Sequence, residues 1–117
     1  MLFRSIAVEA GLWSVEDAQR FAQLDVARNC LRVLIEINEQ NADEAREVAA
    51  AIVAELDQAK FTLPRLLHGF DQTKWQMHRM AVAAGFDSRI GFEDGECLPD
   101  GTRATSNSDL IKAALGQ

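Results

Sequence analysis

The sequence contains no uninterrupted apolar run approaching the roughly 20 residues that a membrane-crossing helix requires. Basic residues are in deficit: 12 Lys and Arg stand against 18 Asp and Glu, a formal charge of −6. No basic stripe with interleaved aromatics interrupts that balance, which argues against a nucleic-acid surface. Cysteines number only two, Cys30 and Cys97, far apart and each without a second Cys or His at metal-ligand spacing. They read as free thiols of a reducing compartment. No phosphate-binding glycine fingerprint follows the first β-like run, where Glu9-Ala10-Gly11-Leu12 stands in place of G-x-G-x-x-G. A nucleotide-binding doubly wound sheet is therefore unsupported. The opening residues, Met1 to Ser5, are too short for a secretory signal and no small-residue cleavage pattern follows them. These absences predict a cytoplasmic protein that engages neither nucleic acid nor membrane.

The chain has 117 residues, of which 48% are hydrophobic, enough for one domain with a packed core. Four β-like runs alternate with four helical ones. The first strand is expected at Ser5–Glu9, ending in the loop Ala10–Trp13, and Ser14 with Asp17 forms an N-cap signal for the helix behind it. Branched residues predict a second strand over Leu31–Ile37. Asn41 and Glu44 then cap a long helix whose apolar stripe is Ala45, Val48, Ala49, Ile52, Val53, Leu56 and Ala59, with Glu44, Arg46, Glu47, Glu55 and Asp57 among its solvated residues. Pro64 precedes a third strand, Arg65–His68, after which Thr73 and Gln76 cap a helix running to about Ala84, and Gly85 ends it. A fourth strand is expected at Ser88–Glu93. A polar loop with a turn at Pro99-Asp100-Gly101 follows, and Ser106 and Asp109 cap a last helix over Leu110–Leu115. Strict alternation predicts right-handed βαβ crossovers and four adjacent parallel strands. The fold class expected is α/β: four consecutive β/α units spanning residues 1–117 as a single half-barrel domain.

Ligands of such folds bind beyond the carboxyl ends of the strands. Those ends present Glu9, then Glu36 and Asn38, then His68, then Glu93 and Asp94. On a fourth strand, the period of two places Arg89, Gly91 and Glu93 on one face, the interior face of a barrel, with Asp94 at the mouth. A buried Glu beside a buried Arg calls for pairing or a metal, and Gly91 leaves room for both side chains. A structural Arg–Glu ion pair accounts for the same residues without a site. His78, on a predicted helix, is expected to be solvated or to pack, and Cys97 reads as an inert loop thiol.

The run Arg89-Ile90-Gly91-Phe92-Glu93-Asp94, with Leu98-Pro99-Asp100-Gly101 and Ser106-Asn107-x-x-Leu110 behind it, resembles the final unit of the β-keto acid cleavage enzymes, also called the 3-keto-5-aminohexanoate cleavage family. Val8-Glu9-Ala10-Gly11-Leu12-Trp13 and Pro64-Arg65-Leu66-Leu67-His68-Gly69 look similar to earlier segments, in the family's order. The resemblance implies the C-terminal half of a zinc-binding TIM (β/α)8 barrel. Its reaction would join a β-keto acid and acetyl-CoA in a retro-Claisen route to acetoacetate and a new acyl-CoA. Glu93 would match the carboxylate zinc ligand, Arg89 the arginine that works with the neighbouring acid, and Asp94 that acid. Glu9, Glu36 and His68 could line the same site. Zinc would polarise the keto carbonyl as a Lewis acid, and a carboxylate beside a guanidinium can be oriented as a base. The family's other zinc ligands are a His-x-His pair from the front half, and this sequence has no H-x-H.

Four strands cannot close a barrel that needs eight. The expectation is a homo-oligomer, in which two copies complete a ring, or a complementary front-half chain. The alternative is a non-catalytic truncated barrel fragment or interaction module. A further reading, a half-barrel acting on phosphorylated substrates, would predict anion binding at helix N-termini.

Overall fold

The computed structural model describes residues 7–116. Its centre is a parallel three-stranded sheet: β1 (Glu9–Leu12), β2 (Arg32–Ile37) and β3 (Arg65–Gly69), in the order β1-β2-β3. The connections are α1 (Val15–Ala22) and α2 (Ala42–Gln58), while α3 (Lys74–Ala84) follows β3 and α4 (Asn107–Leu115) closes the chain. The helices start where side chains can satisfy their free N–H groups. Ser14 accepts from Asp17 N at 3.1 Å, Asn41 from Asp43 N and Glu44 N, and Ser106 from Asp109 N at 3.2 Å. Thr73 differs from its expected role. Its hydroxyl donates to Glu39 O at 2.7 Å, tying α3 to the end of β2 instead of capping the helix. Gly85 ends α3 in the left-handed region, φ 74°, as its position predicts.

β2 alternates strictly. Val33, Ile35 and Ile37 are fully buried against Ala45, Ala49, Ile52 and Leu56 of α2, Ala18 and Phe21 of α1, and Met77 and Ala81 of α3. This one-sided packing is the main core, and burial of each large aliphatic side chain contributes about 1.5–3 kcal/mol. The opposite face carries Glu9, Gly11, Arg32, Leu34, Glu36, Leu66 and His68, brought side by side by the parallel register. Parallel sheets ordinarily have both faces covered. Among the described residues, no strand pairs with the outer edge of β1.

Two strand expectations are corrected. The first strand begins where it was expected to end: Ser5 and Ile6 lie outside the described residues, and Glu9–Leu12, largely assigned to a loop, is the strand. Pairing decides this, because Glu9 meets Arg32 across the ladder and Leu12 enters the core. The fourth strand, expected over Ser88–Glu93, does not form. Asp87 alone bridges to Leu66, through Asp87 N to Arg65 O and Leu67 N to Asp87 O, both at 2.9 Å. The Ser88 hydroxyl then donates to Leu67 O at 2.8 Å, replacing a ladder bond with a side-chain one. The chain leaves the sheet and closes a 3-10 turn over Phe92–Asp94. The described chain is thus a small parallel α/β structure consistent with a partial barrel, with three strands in place of four. No described helix is long and apolar enough to cross a membrane.

Candidate functional site

The carboxyl ends of β2 and β3 and the segment after α3 meet on the open face of the sheet. Glu36 is the last residue but one of β2, and His68 is its register partner on β3. Gly11 of β1 lies beside the acid on this face, where a Cβ would stand in ordinary contact, 3.5 Å from Glu36 Oε1. The indole N–H of Trp13, just past β1, donates to Glu36 Oε2. His68 is 2% exposed, and both ring nitrogens are buried without a hydrogen-bond partner. Nε2 lies 4.0 Å from Glu36 Oε1 and Nδ1 lies 3.9 Å from Asp94 Oδ2, beyond hydrogen-bond length. Burial pushes the His68 pKa below its usual 6.5 and the Arg89 cation works the same way, while Asp94 and Glu36 oppose them.

The 3-10 turn decides which carboxylate faces inward, and it reverses the expectation. Three residues per turn replace the period of two, so Asp94 becomes the inward group, 1% exposed, while Glu93 is 63% exposed at the rim. Arg89 spans both. Its Nε donates to Asp94 Oδ2 at 3.1 Å and its Nη2 to Asp94 Oδ1 and Glu93 Oε1, each at 3.3 Å. Gly91 does leave the expected room, because Glu93 folds back over it and a Cβ there would meet Glu93 Oε2 at 2.5 Å. Glu9, expected at a strand end, sits at the start of β1 and pairs with Arg32 at 2.8 Å, at the opposite end of the sheet from Glu36. The structure therefore brings together Glu36, His68, Arg89 and Asp94, leaves Glu93 on the rim, and takes Glu9 out of the cluster.

Two residues of this neighbourhood were not singled out from the sequence. Trp13 follows from the strand shift, since correct placement of β1 puts it beside the end of β2. Lys74 is the first residue of α3, and its role depends on the loop that it meets. It is fully buried, donates to Gly95 O at 2.5 Å and lies over the Trp75 ring at 5.3 Å. Burial lowers its pKa, opposed by Cys97, Asp94 and Asp71. Trp75 Nε1 donates to Cys97 O at 2.8 Å, so two adjacent side chains pin the loop that follows Asp94. His78 packs, as expected, edge-on to Trp75.

A cleft of about 910 Å³ opens near the loop, lined by Gln40, Asp71, Trp75, Arg79, Cys97 and Pro99 among others, but by none of Glu36, His68, Arg89 or Asp94. The buried cluster faces the uncovered side of the sheet instead. The residues present do not fit a zinc ion by themselves. Among the described residues no three His, Cys, Asp or Glu side chains gather as a metal site, Glu93 is an exposed lone carboxylate paired with Arg89, and stable zinc sites use three or four protein ligands.

A parallel sheet backed by helices, with an acid, an imidazole and a guanidinium gathered at its carboxyl ends, is consistent with a partial (β/α) barrel. A family model described as beta-keto acid cleavage enzyme matches residues 15–116. The chain belongs to that family. No curated protein matches it.

Proposed function

We propose that this chain forms the C-terminal wall of a β-keto acid cleavage site, in which Asp94 is the base and Arg89 holds it in place. The observation that carries this reading is the fully buried Asp94 carboxylate gripped by Arg89 at the strand ends, within the span matched by the family. A carboxylate fixed by a planar guanidinium loses little freedom when it takes a proton, which suits general-base work. Asp94 removes a proton from C2 of the β-keto acid. The resulting enolate carbon adds to the thioester carbonyl of acetyl-CoA, forming a carbon–carbon bond and expelling the CoA thiolate. The thiolate adds to the original keto carbon, and the bond from that carbon to C2 breaks. This releases the new acyl-CoA and the acetoacetate enolate, which recovers its proton from Asp94.

In this proposal zinc is not held by the chain alone. Glu93 is the group the chain offers it, and the remaining ligands come from a complementary front half carrying His-x-His. The half-open face of the sheet and the edge of β1, which no strand pairs with among the described residues, support such a completion. The substrate is a β-keto acid, of which 3-keto-5-aminohexanoate is one case to assay.

The test mixes this chain with a His-x-His-bearing front half of a β-keto acid cleavage enzyme, verifies assembly by light scattering, and supplies acetyl-CoA with a panel of β-keto acids. Acyl-CoA and acetoacetate are expected by mass spectrometry only from the mixture. An assembled mixture that cleaves none of the panel would overturn the reading in favour of a non-catalytic interaction module.

A further inference from the structure

We infer that His68 is a positioning residue for Asp94: as a neutral Nδ1–H tautomer it is the second donor, after Arg89, that fixes Oδ2 of the Asp94 carboxylate. The inference rests on the reading of Asp94 as the base and assigns its partner. His68 stands between two acids and bonds to neither, with Nδ1 3.9 Å from Asp94 Oδ2 and Nε2 4.0 Å from Glu36 Oε1. A neutral imidazole has one N–H and one lone pair. The lone pair must face one of the two carboxylates, where it is repelled, and repulsion is stronger where water is excluded.

The two acids are not equivalent. Asp94 is sealed from solvent, whereas the Glu36 side chain is 19% exposed and already accepts from the Trp13 indole. Repulsion at Glu36 can be relieved by water, and repulsion at Asp94, sealed from solvent in the ligand-free protein, cannot. The proton therefore belongs on Nδ1, facing Asp94. Arg89 Nε donates to that same oxygen, Oδ2, and Arg89 Nη2 to the other at the longer 3.3 Å. Two donors converge on Oδ2 and leave Oδ1 as the more basic oxygen for substrate. The remaining gap of 3.9 Å closes when the site is completed, since such bonds are often long in ligand-free structures and tighten on binding. Burial, which lowers the His68 pKa, keeps the ring neutral near neutral pH.

The protein has two histidines, so selective 15N-histidine labelling gives two rings, and His78, whose Nε2 lies 3.0 Å from Ala114 O, serves as the internal reference. At pH about 7 the His68 ring is expected to carry its proton on Nδ1. Asp94→Asn is expected to move that proton to Nε2 or to populate both tautomers, and Glu36→Gln to leave it on Nδ1. An Nε2–H or doubly protonated ring in the wild type, an Nδ1–H that survives Asp94→Asn, or one that is lost in Glu36→Gln would overturn the inference. Should Asp94→Asn fail to fold, the wild-type and Glu36→Gln spectra decide. In the completed assembly, His68→Leu is expected to lower kcat about 10²-fold, as for a misplacement near 1 Å, with KM unchanged. His68→Asn, which keeps a donor at the Nδ1 position, is expected to recover most of the loss, and equal loss in both variants contradicts the role. The spectra need no turnover, so an inactive assembly with the stated tautomer refutes Asp94 as base, whereas an active one with the wrong tautomer refutes His68 alone.

Discussion

Replacing Arg89 with Met removes two charge-assisted hydrogen bonds, at 3.1 and 3.3 Å, from a carboxylate that no water reaches. Breaking a fully buried pair typically costs about 3–5 kcal/mol. Arg89 itself is 42% exposed, so solvent already screens the guanidinium, and the lower figure of about 2–3 kcal/mol, that of bonds to charged groups, is the better expectation. Most of it is the stranded Asp94 charge, so Asp94→Asn in the same chain should recover a large part. The double-mutant cycle is then expected to show a coupling of about 1–2 kcal/mol, within the range for residues in direct contact. Urea unfolding at pH 7 followed by far-ultraviolet circular dichroism measures each corner, and in a thermal melt a loss of 2 kcal/mol corresponds to a fall in Tm of about 8 °C for a domain of this size. A loss under about 0.5 kcal/mol, the scale of surface substitutions, combined with additivity in the cycle, would refute the placement of Asp94 inside and Glu93 outside.

Stability should fall as pH drops through and below the usual histidine value of 6.5, because the folded-state pKa of His68 is depressed. The unfolded chain then binds a proton that the native ring resists, and His68→Gln should flatten that limb of the pH–stability curve measured by thermal melts. Gly95→Ala should destabilise the fold by about 1–3 kcal/mol, since Gly95 has φ 135° and a Cβ there would stand 3.2 Å from Asp71 Oδ1; unchanged denaturation would contradict the fixed loop behind Asp94. Purified alone, the chain should carry far less than one zinc per molecule by mass spectrometry, because its described carboxylates and imidazole do not gather as three ligands. Stoichiometric zinc that disappears in Glu93→Ala would overturn that expectation.

Much of the scaffold was legible in the sequence for local reasons. The stripe of Ala45, Ala49, Ile52 and Leu56, the caps at Ser14, Asn41 and Ser106, and Gly85 as a helix stop each depend on a few neighbouring residues, and each stands in the structure. What failed depended on partners distant in sequence. β1 is set by its register with β2, which local propensity does not encode. The run Ser88–Glu93 has strand-like spacing, but a side chain, Ser88, takes the carbonyl that a ladder N–H would have used. At the site most of the residues that gather were visible in the sequence and two were expected to face the other way, because one 3-10 turn swaps the facing of Glu93 and Asp94. Trp13 and Lys74 were missed because an indole at a strand end and a lysine opening a helix declare a role only once the loops they touch are placed.

The reaction assigned to Asp94 is tested most directly by kcat for β-keto acid cleavage in the completed assembly, wild type against Asp94→Asn. Loss of a positioned base predicts a fall of about 10²–10⁴-fold, with KM nearly unchanged and Glu36→Gln far milder. An Asp94→Asn assembly that turns over at the wild-type rate would contradict the account.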